Sequence, residues 1–305
     1  MTYYSDSNDE NISFEIIKAL RDYNIVDILL KVSALNLLPY NQNKSIVFDS
    51  IINDILTHEV GSYKSENYIS MSKFKNLIKN YRHSDISMII DPAEMPFIQR
   101  VQFFGDYWIF PGINTSIGYN LQKLINVIFR NTNSFNKDFK NKCYLMIRTI
   151  LSISNSIIED LGYGIDTLDH YEQPEVDIPS SNRLKELSEH LVVDVELIYE
   201  ILQDDADILF YNNDNYSDFL KYESITNYLF FYSPFLKITD TDAIILNPTM
   251  LPTFLVYYIL YTAKEYDAFH DVVTAYNNEV WRDCKRHLKL MLSPCIYLLQ
   301  TVLYM

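Results

Sequence analysis

One group of side chains in the sequence has the residue types and spacing that a metal site needs. Asp267, His270 and Asp271 fall within about one helical turn. Carboxylates and imidazoles bind divalent metals, and such metals activate water for the hydrolysis of phosphoesters. This group makes a metal-dependent phosphohydrolase or nuclease one hypothesis for the chain, and a solvated helix face is the alternative.

The adjacent pair His270-Asp271 resembles the centre of the HD-type metal-dependent phosphohydrolases. The resemblance implies a further histidine on an upstream helix, for which His190 is the nearest candidate. Other enzyme signatures are absent from the sequence. No glycine precedes a lysine, which excludes a Walker A loop, and neither GxGxxG nor GxSxG occurs. A non-catalytic role is therefore favoured, and no cofactor is predicted.

A segment of twenty residues, Arg183 to Leu202, resembles a DNA-binding helix-turn-helix. Its sequence is RLKELSEHLVVDVELIYEIL, in which the usual apolar and small positions are Leu187, Leu191, Val193, Ile198, Ile201 and Ser188. The segment departs from the motif at Val192, where glycine commonly makes the turn. The resemblance implies a DNA-binding regulator. Asp194, Glu196 and Glu200 oppose that role, because they would repel phosphates, so a structural helical hairpin is the alternative.

The overall charge also disfavours nucleic acid as a partner. The chain has 25 Lys and Arg against 40 Asp and Glu, a formal net charge of -15, whereas a grip on a phosphate backbone depends on cations. The most positive segment is a predicted short helix that carries Lys73, Lys75, Lys79 and Arg82. This segment is a candidate contact for an anionic partner, and a solvated helix face is the alternative.

A β-hairpin is predicted over residues 97–113, because two apolar runs flank Gly105-Asp106. A two-residue loop there would place three pairs opposite each other: Phe104 with Tyr107, Phe103 with Trp108, and Val101 with Phe110. Phe103, Trp108 and Phe110 would then form an aromatic surface and are the candidate contacts for a partner. A small hydrophobic core is the alternative.

Helical spacing of apolar residues dominates the rest of the chain. It predicts a mainly α, multi-helical fold with two short β-hairpins, the second over residues 235–247. After the first hairpin, an amphipathic helix is indicated by Leu121, Leu124, Ile125 and Ile128. The acidic, proline-containing segment 165–180 is the predicted linker between an N-terminal helical domain, 1–164, and a C-terminal helical domain, 181–305.

The remaining features concern cellular context. Cys143, Cys284 and Cys295 form no CxxC pattern, which predicts buried free thiols in a cytoplasmic protein. No apolar run reaches the ~20 residues that span a membrane. The apolar stretch 290–305 predicts burial in a core, against a partner or within a longer protein. The composition, rich in Asn, Ile, Tyr, Lys and Asp, is typical of an AT-rich bacterial genome, in which helical proteins without enzyme motifs often belong to defence systems. We therefore predict an acidic helical scaffold or interaction module that binds a protein partner or self-associates.

Overall fold

The computed structural model describes residues 20–57, 65–80, 97–111, 120–130, 135–164, 176–212 and 231–303. The fold is mainly α-helical with two small antiparallel sheets, as the sequence predicted. In chain order the described helices and strands are α1 Ile25–Leu35, α2 Ser45–Thr57, α3 Met71–Asn80, β1 Gln99–Gln102, β2 Asp106–Ile109, α4 Leu121–Arg130, α5 Lys137–Asp160, α6 Ser181–Glu189, β3 Val192–Asp194, α7 Val195–Leu202, β4 Phe235–Lys237, β5 Asp242–Ile245, α8 Leu251–Glu265 and α9 Phe269–Leu303. Within these residues, no helix is both long enough and apolar enough to cross a membrane.

The chain divides into two compact units. The larger unit comprises Met1–Ser116 and Leu145–Leu255, and the smaller unit comprises Ile117–Tyr144 and Val256–Met305. Helices α5 and α8 each contribute residues to both units. The linker predicted at 165–180 stays a prediction, because residues 165–175 lie outside the described part of the chain.

In the smaller unit, α4 buries the apolar stripe that the sequence predicted, formed by Leu121, Leu124, Ile125 and Ile128. The helix is tied to α9 by two polar contacts. The Asn120 N–H donates to the Tyr276 hydroxyl at 2.8 Å, and Lys123 Nζ lies 2.8 Å from Asp283 Oδ2. Hydrophobic burial and these contacts together fix the position of α4 against α9.

The larger unit has a core built around aromatic side chains that are fully buried: Phe48, Phe74, Phe110, Phe235 and Phe254. Asn24 caps the N-terminus of α1, because its side chain accepts a hydrogen bond from the Asp27 N–H at 3.0 Å. Asp27 in turn pairs with Lys31 at 2.6 Å and accepts from the Ile69 N–H at 3.1 Å. These bonds join α1 to the segment that leads into α3.

The first hairpin is present, but its predicted register is wrong. The observed pairs are Gln99 with Ile109, Arg100 with Trp108, Val101 with Tyr107, and Gln102 with Asp106. The chain turns at Phe104, which takes a positive φ of 50°, whereas Gly105 does not adopt a positive φ. This register buries Ile109 on the same face as Val101, and the predicted register would have placed Ile109 on the polar face.

The second predicted hairpin is also present, and the structure adds a third strand to it. Strands β4 and β5 pair Phe235 with Ile245, and β3 pairs with β5 through Val192 and Ile244. The sheet order is β3-β5-β4. Val192, the position at which the sequence departs from the helix-turn-helix motif, belongs to strand β3, which joins α6 to α7.

Candidate interaction surface

The predicted metal ligands lie at the start of α9 in the smaller unit. Asp267, His270 and Asp271 are all exposed. Asp271 is in the first turn of α9, where the positive end of the helix dipole stabilises a carboxylate. Among the side chains that the structure describes, no group of three or more His, Cys, Asp or Glu is placed to hold a metal ion. His190 belongs to the larger unit and lies 3.9 Å from Asp160. The metal hypothesis therefore gains no support from the described residues.

The predicted burial of the thiols is confirmed for Cys143 and is wrong for Cys284. Cys143 lies on the packed side of α5. Cys284 lies on an exposed part of α9. The residue type alone does not distinguish these environments, because cysteine occurs both as a small buried hydrophobe and on surfaces. The side chain of Cys295, the third predicted buried thiol, lies outside the described part of the chain.

The aromatic residues predicted as partner contacts are largely part of the core. Phe103 and Phe110 are buried, and Trp108 is partly buried with its backbone N–H donating to Asn155 Oδ1 at 2.9 Å. Phe104 at the tip of the hairpin is instead the exposed aromatic residue of this segment, at 78%. Phe103 and Phe110 are therefore arranged as the alternative hypothesis, a small hydrophobic core, predicts.

The predicted basic contacts lie on α3. Lys73, Lys75 and Lys79 are exposed, while Phe74 and its apolar neighbours on the helix are buried. Lys73 donates to the Tyr23 hydroxyl, and its Nζ lies 5.1 Å from the centre of that ring. Arg82, the fourth predicted contact, lies outside the described residues. The exposed face of α3 is thus polar and cationic. The opposite side of the helix is apolar and buried, which fixes the direction in which the lysines point.

The pair of helices α6 and α7 is held in the larger unit by both helix caps and sheet bonds. Ser180 caps α6 by accepting from the Arg183 N–H at 3.4 Å, and Asp194 caps α7 by accepting from the Leu197 N–H at 3.0 Å. The Val195 N–H donates to the Thr241 carbonyl at 2.8 Å, next to the β3-β5 ladder. The first turn of α7 is therefore anchored to the hairpin of β4 and β5.

Helix α7 packs one apolar stripe and leaves a second stripe exposed. The packed stripe is formed by Val195, Ile198 and Leu202, which are all buried. Leu197 and Ile201 lie one turn apart on the same side of the helix, with 53% and 41% of their surfaces exposed. The motif resemblance counts Ile201 among its usual apolar positions. In α7 this residue is exposed, and the buried side of the helix passes through Leu202 instead.

We call Leu197 and Ile201 together the α7 face. Glu196 and Glu200 are exposed and each precedes a residue of this face, so they form a row of carboxylates along one edge of it. Val192 on β3 is also exposed, at the strand that leads into the helix. Between Val192 and Asp204 the sequence contains no Lys, Arg or His. The α7 face is consequently apolar with an anionic border.

A cluster around Tyr199 connects α7 to strand β4. The Tyr199 ring stacks on Phe210 at 5.5 Å, and Lys237 Nζ lies 4.6 Å from the centre of the Tyr199 ring and 4.4 Å from that of Phe210. The Tyr199 hydroxyl donates to Asp207 and accepts from Lys237 Nζ at 2.7 Å. Burial and then the bond to Asp207 raise the pKa of Tyr199. Lys237 is thus engaged within this cluster.

Comparisons with protein-family models, with curated proteins and with solved structures give no match for this chain. Any functional conclusion therefore depends on the residues themselves.

Proposed function

We propose that this chain is a non-catalytic protein-interaction module and that the α7 face is its contact surface. The observation that carries the proposal is the exposure of Leu197 and Ile201, one turn apart, on a helix whose other side is packed. Single exposed apolar residues are normal on protein surfaces, but neighbouring ones mark contact sites more often.

The position of the α7 face in the sequence supports the proposal. In the part of the chain that the structure describes, three of the exposed large hydrophobic residues, Val192, Leu197 and Ile201, fall within ten residues. The supporting elements are rigid, because α7 begins at a capped turn that is bonded to a sheet. A surface on a fixed helix can bind a partner without the entropic cost of ordering a loop.

The basic face of α3 is the second surface to which we assign a contact. Lys73, Lys75 and Lys79 are exposed on it, but it has no exposed large apolar side chain among its described residues 71–79. A contact there would depend on charge and would weaken with salt. The cytoplasmic location belongs to the same proposal, because Cys143 and Cys284, the cysteines that the structure describes, form no disulfide, which suits a reducing compartment.

Site-specific photo-crosslinking tests the proposal in cells that naturally produce the protein. A photoreactive phenylalanine analogue replaces Leu197, and the same analogue at Leu145 on α5, which is 42% exposed, is the matched control. We expect a protein adduct from position 197 that is missing from position 145. The crosslinked protein is then identified by mass spectrometry, purified, and titrated against the wild type and Leu197→Ser.

Two results would overturn the proposal. Identical adduct patterns from positions 197 and 145 would show that α7 is not a preferred contact. Equal affinity of the purified partner for the wild type and for Leu197→Ser would show that the adduct came from proximity alone. If the adduct is a second copy of the chain, light scattering should show an oligomer that Leu197→Ser dissociates, which supports an interaction role through self-association.

A further inference from the structure

The α7 face has features that define the chemistry of its partner. We infer that this partner presents a cationic amphipathic α-helix, with apolar side chains along one stripe and lysine or arginine beside them. This inference rests on the proposed function and adds to it the class of partner. It follows from the shape of the face, from its charge and from the surroundings of α7.

The shape of the face matches a second helix. Leu197 and Ile201 project from adjacent turns of α7, which has eight residues and is about 12 Å long. Side chains at this spacing form a ridge, and helices pack by placing such ridges into the grooves of a neighbouring helix. A partner helix with apolar residues three and four positions apart would cover both side chains at once.

The charge of the border selects a cationic partner. Glu196 and Glu200 are exposed along one edge, and Asp194 and Asp204 are exposed beyond the two ends of α7. Lys237 is a cation that lies against this helix, and it is held over the rings of Tyr199 and Phe210. Lysine or arginine on a partner would therefore meet carboxylates, and the complementary charges would raise both the association rate and the specificity.

The same charge argues against other occupants. A phosphate backbone or an anionic lipid surface would face the carboxylates of α7 directly. A second copy of this chain would bring a further net charge of -15, which opposes self-association at low salt. A neutral apolar segment would bury Leu197 and Ile201 but would gain nothing from the border.

Binding of a defined peptide tests this inference. The probe is a synthetic helical peptide of about 18 residues in which leucines form one stripe and lysines form the other. Two control peptides are used: one with glutamate in place of lysine, and one with serine in place of leucine. Fluorescence anisotropy measures the affinity of each peptide for the full chain between about 50 mM and about 500 mM salt.

Variants of the chain locate the binding site. Leu197→Ser combined with Ile201→Ser should weaken binding of the leucine-lysine peptide at least about tenfold, because the apolar contact is lost. Glu196→Gln combined with Glu200→Gln should reduce the salt dependence. Leu145→Ser is the control for apolar loss. Asp22→Asn combined with Glu66→Gln, both at exposed positions, is the control for charge, and neither control should change the affinity.

The outcomes separate this inference from the proposed function. A cationic helical partner is supported if both control peptides bind weakly and if only the α7 variants lose affinity for the leucine-lysine peptide. Equal losses in the control variants, stronger binding of the glutamate peptide, or no binding of the leucine-lysine peptide would overturn the inference. If position 197 still gives a specific adduct in cells, the interaction role stands and only the class of partner is wrong. If that adduct is also missing, both fail.

Discussion

Asp49 on α2 provides a sharp test of the packing in the larger unit. Its side chain is fully buried and accepts a hydrogen bond from Asn247 Nδ2. Burial raises the pKa of Asp49 to about 8, although the bond from Asn247 acts in the opposite direction. Asn247 is itself fixed, because its Oδ1 accepts from the Thr249 N–H at 2.9 Å. The folded protein therefore holds Asp49 protonated at neutral pH.

The sign and size of the effect follow from proton linkage. The pKa of the carboxyl is 3.8 when it is unperturbed and about 8 in the folded chain. Between these values the folded state keeps a proton that the unfolded state releases, so the free energy of unfolding falls as pH rises through this window. At ~1.4 kcal/mol per pH unit, the burial of Asp49 costs on the order of 5 kcal/mol by pH 8.

The substitution Asp49→Asn removes this dependence. An amide at position 49 stays neutral at every pH and keeps an oxygen that can accept from Asn247 Nδ2. We expect the variant to match the wild type within about 1 kcal/mol near pH 4 and to be several kcal/mol more stable at pH 8. The advantage should grow steadily as pH rises between these limits.

Urea unfolding at a series of pH values measures the effect. The chain has two tryptophans, so a Trp281→Phe background leaves the fluorescence of Trp108, which lies in the same unit as Asp49. Asp54→Asn, a change of the same kind at a partly exposed position of α2, is the matched control. Parallel stability curves for the wild type and Asp49→Asn across the whole pH range would refute the argument.

Three further predictions concern other parts of the molecule. Gly105→Ala should leave stability unchanged or raise it by about 0.5 kcal/mol in urea unfolding, because Gly105 has no positive φ and an added Cβ meets only Tyr107 Cε2, at 3.7 Å. A loss above about 1 kcal/mol would instead support the two-residue loop at Gly105-Asp106 that the sequence predicted. Asn41→Ala should cost about 2 kcal/mol in the same assay, because its buried amide donates to the Asp177 carbonyl at 2.9 Å and accepts from the Asp177 N–H at 2.8 Å. The chain should show no binding to duplex DNA at about 50 mM salt in an electrophoretic shift assay, because the carboxylates of α7 repel phosphates. Retardation that Arg183→Gln abolishes would contradict this prediction and support a DNA-binding role.

Periodicity was sufficient to predict α3 and α4, because each of these helices buries a stripe of apolar residues that can be read from the local sequence. Leu121, Leu124 and Ile128 of α4 recur at intervals of three and four residues, and all are buried. Helical spacing is also found in α3, where Phe74 and Ile78 are four residues apart and buried, while the lysines of the helix are exposed. Such patterns need no knowledge of the partner element, since the alternation of apolar and polar residues alone defines the buried side.

Strand pairing was predictable only in part, because it depends on contacts that the local sequence does not specify. The two hairpins were located by their turns. The register of the first hairpin was missed because Phe104, and not Gly105, adopts the left-handed conformation. A positive φ is uncommon for a bulky residue, so the local sequence does not indicate it. The pairing of Val192 with Ile244 joins residues that are far apart in sequence, and no local pattern predicts such a contact.

The candidate contact surface was missed for a related physical reason. Helix α7 carries two apolar stripes, one through Ile198 and Leu202 and one through Leu197 and Ile201. A helix at the surface of a unit can pack only one side against its own core, so the second stripe must stay exposed or bind something else. The sequence contained part of this signal, because a helix that is apolar on two sides is either buried on both, as α8 is over residues 251–260, or leaves one stripe exposed. Only the structure shows which stripe is left, and that stripe is the one bordered by Glu196 and Glu200.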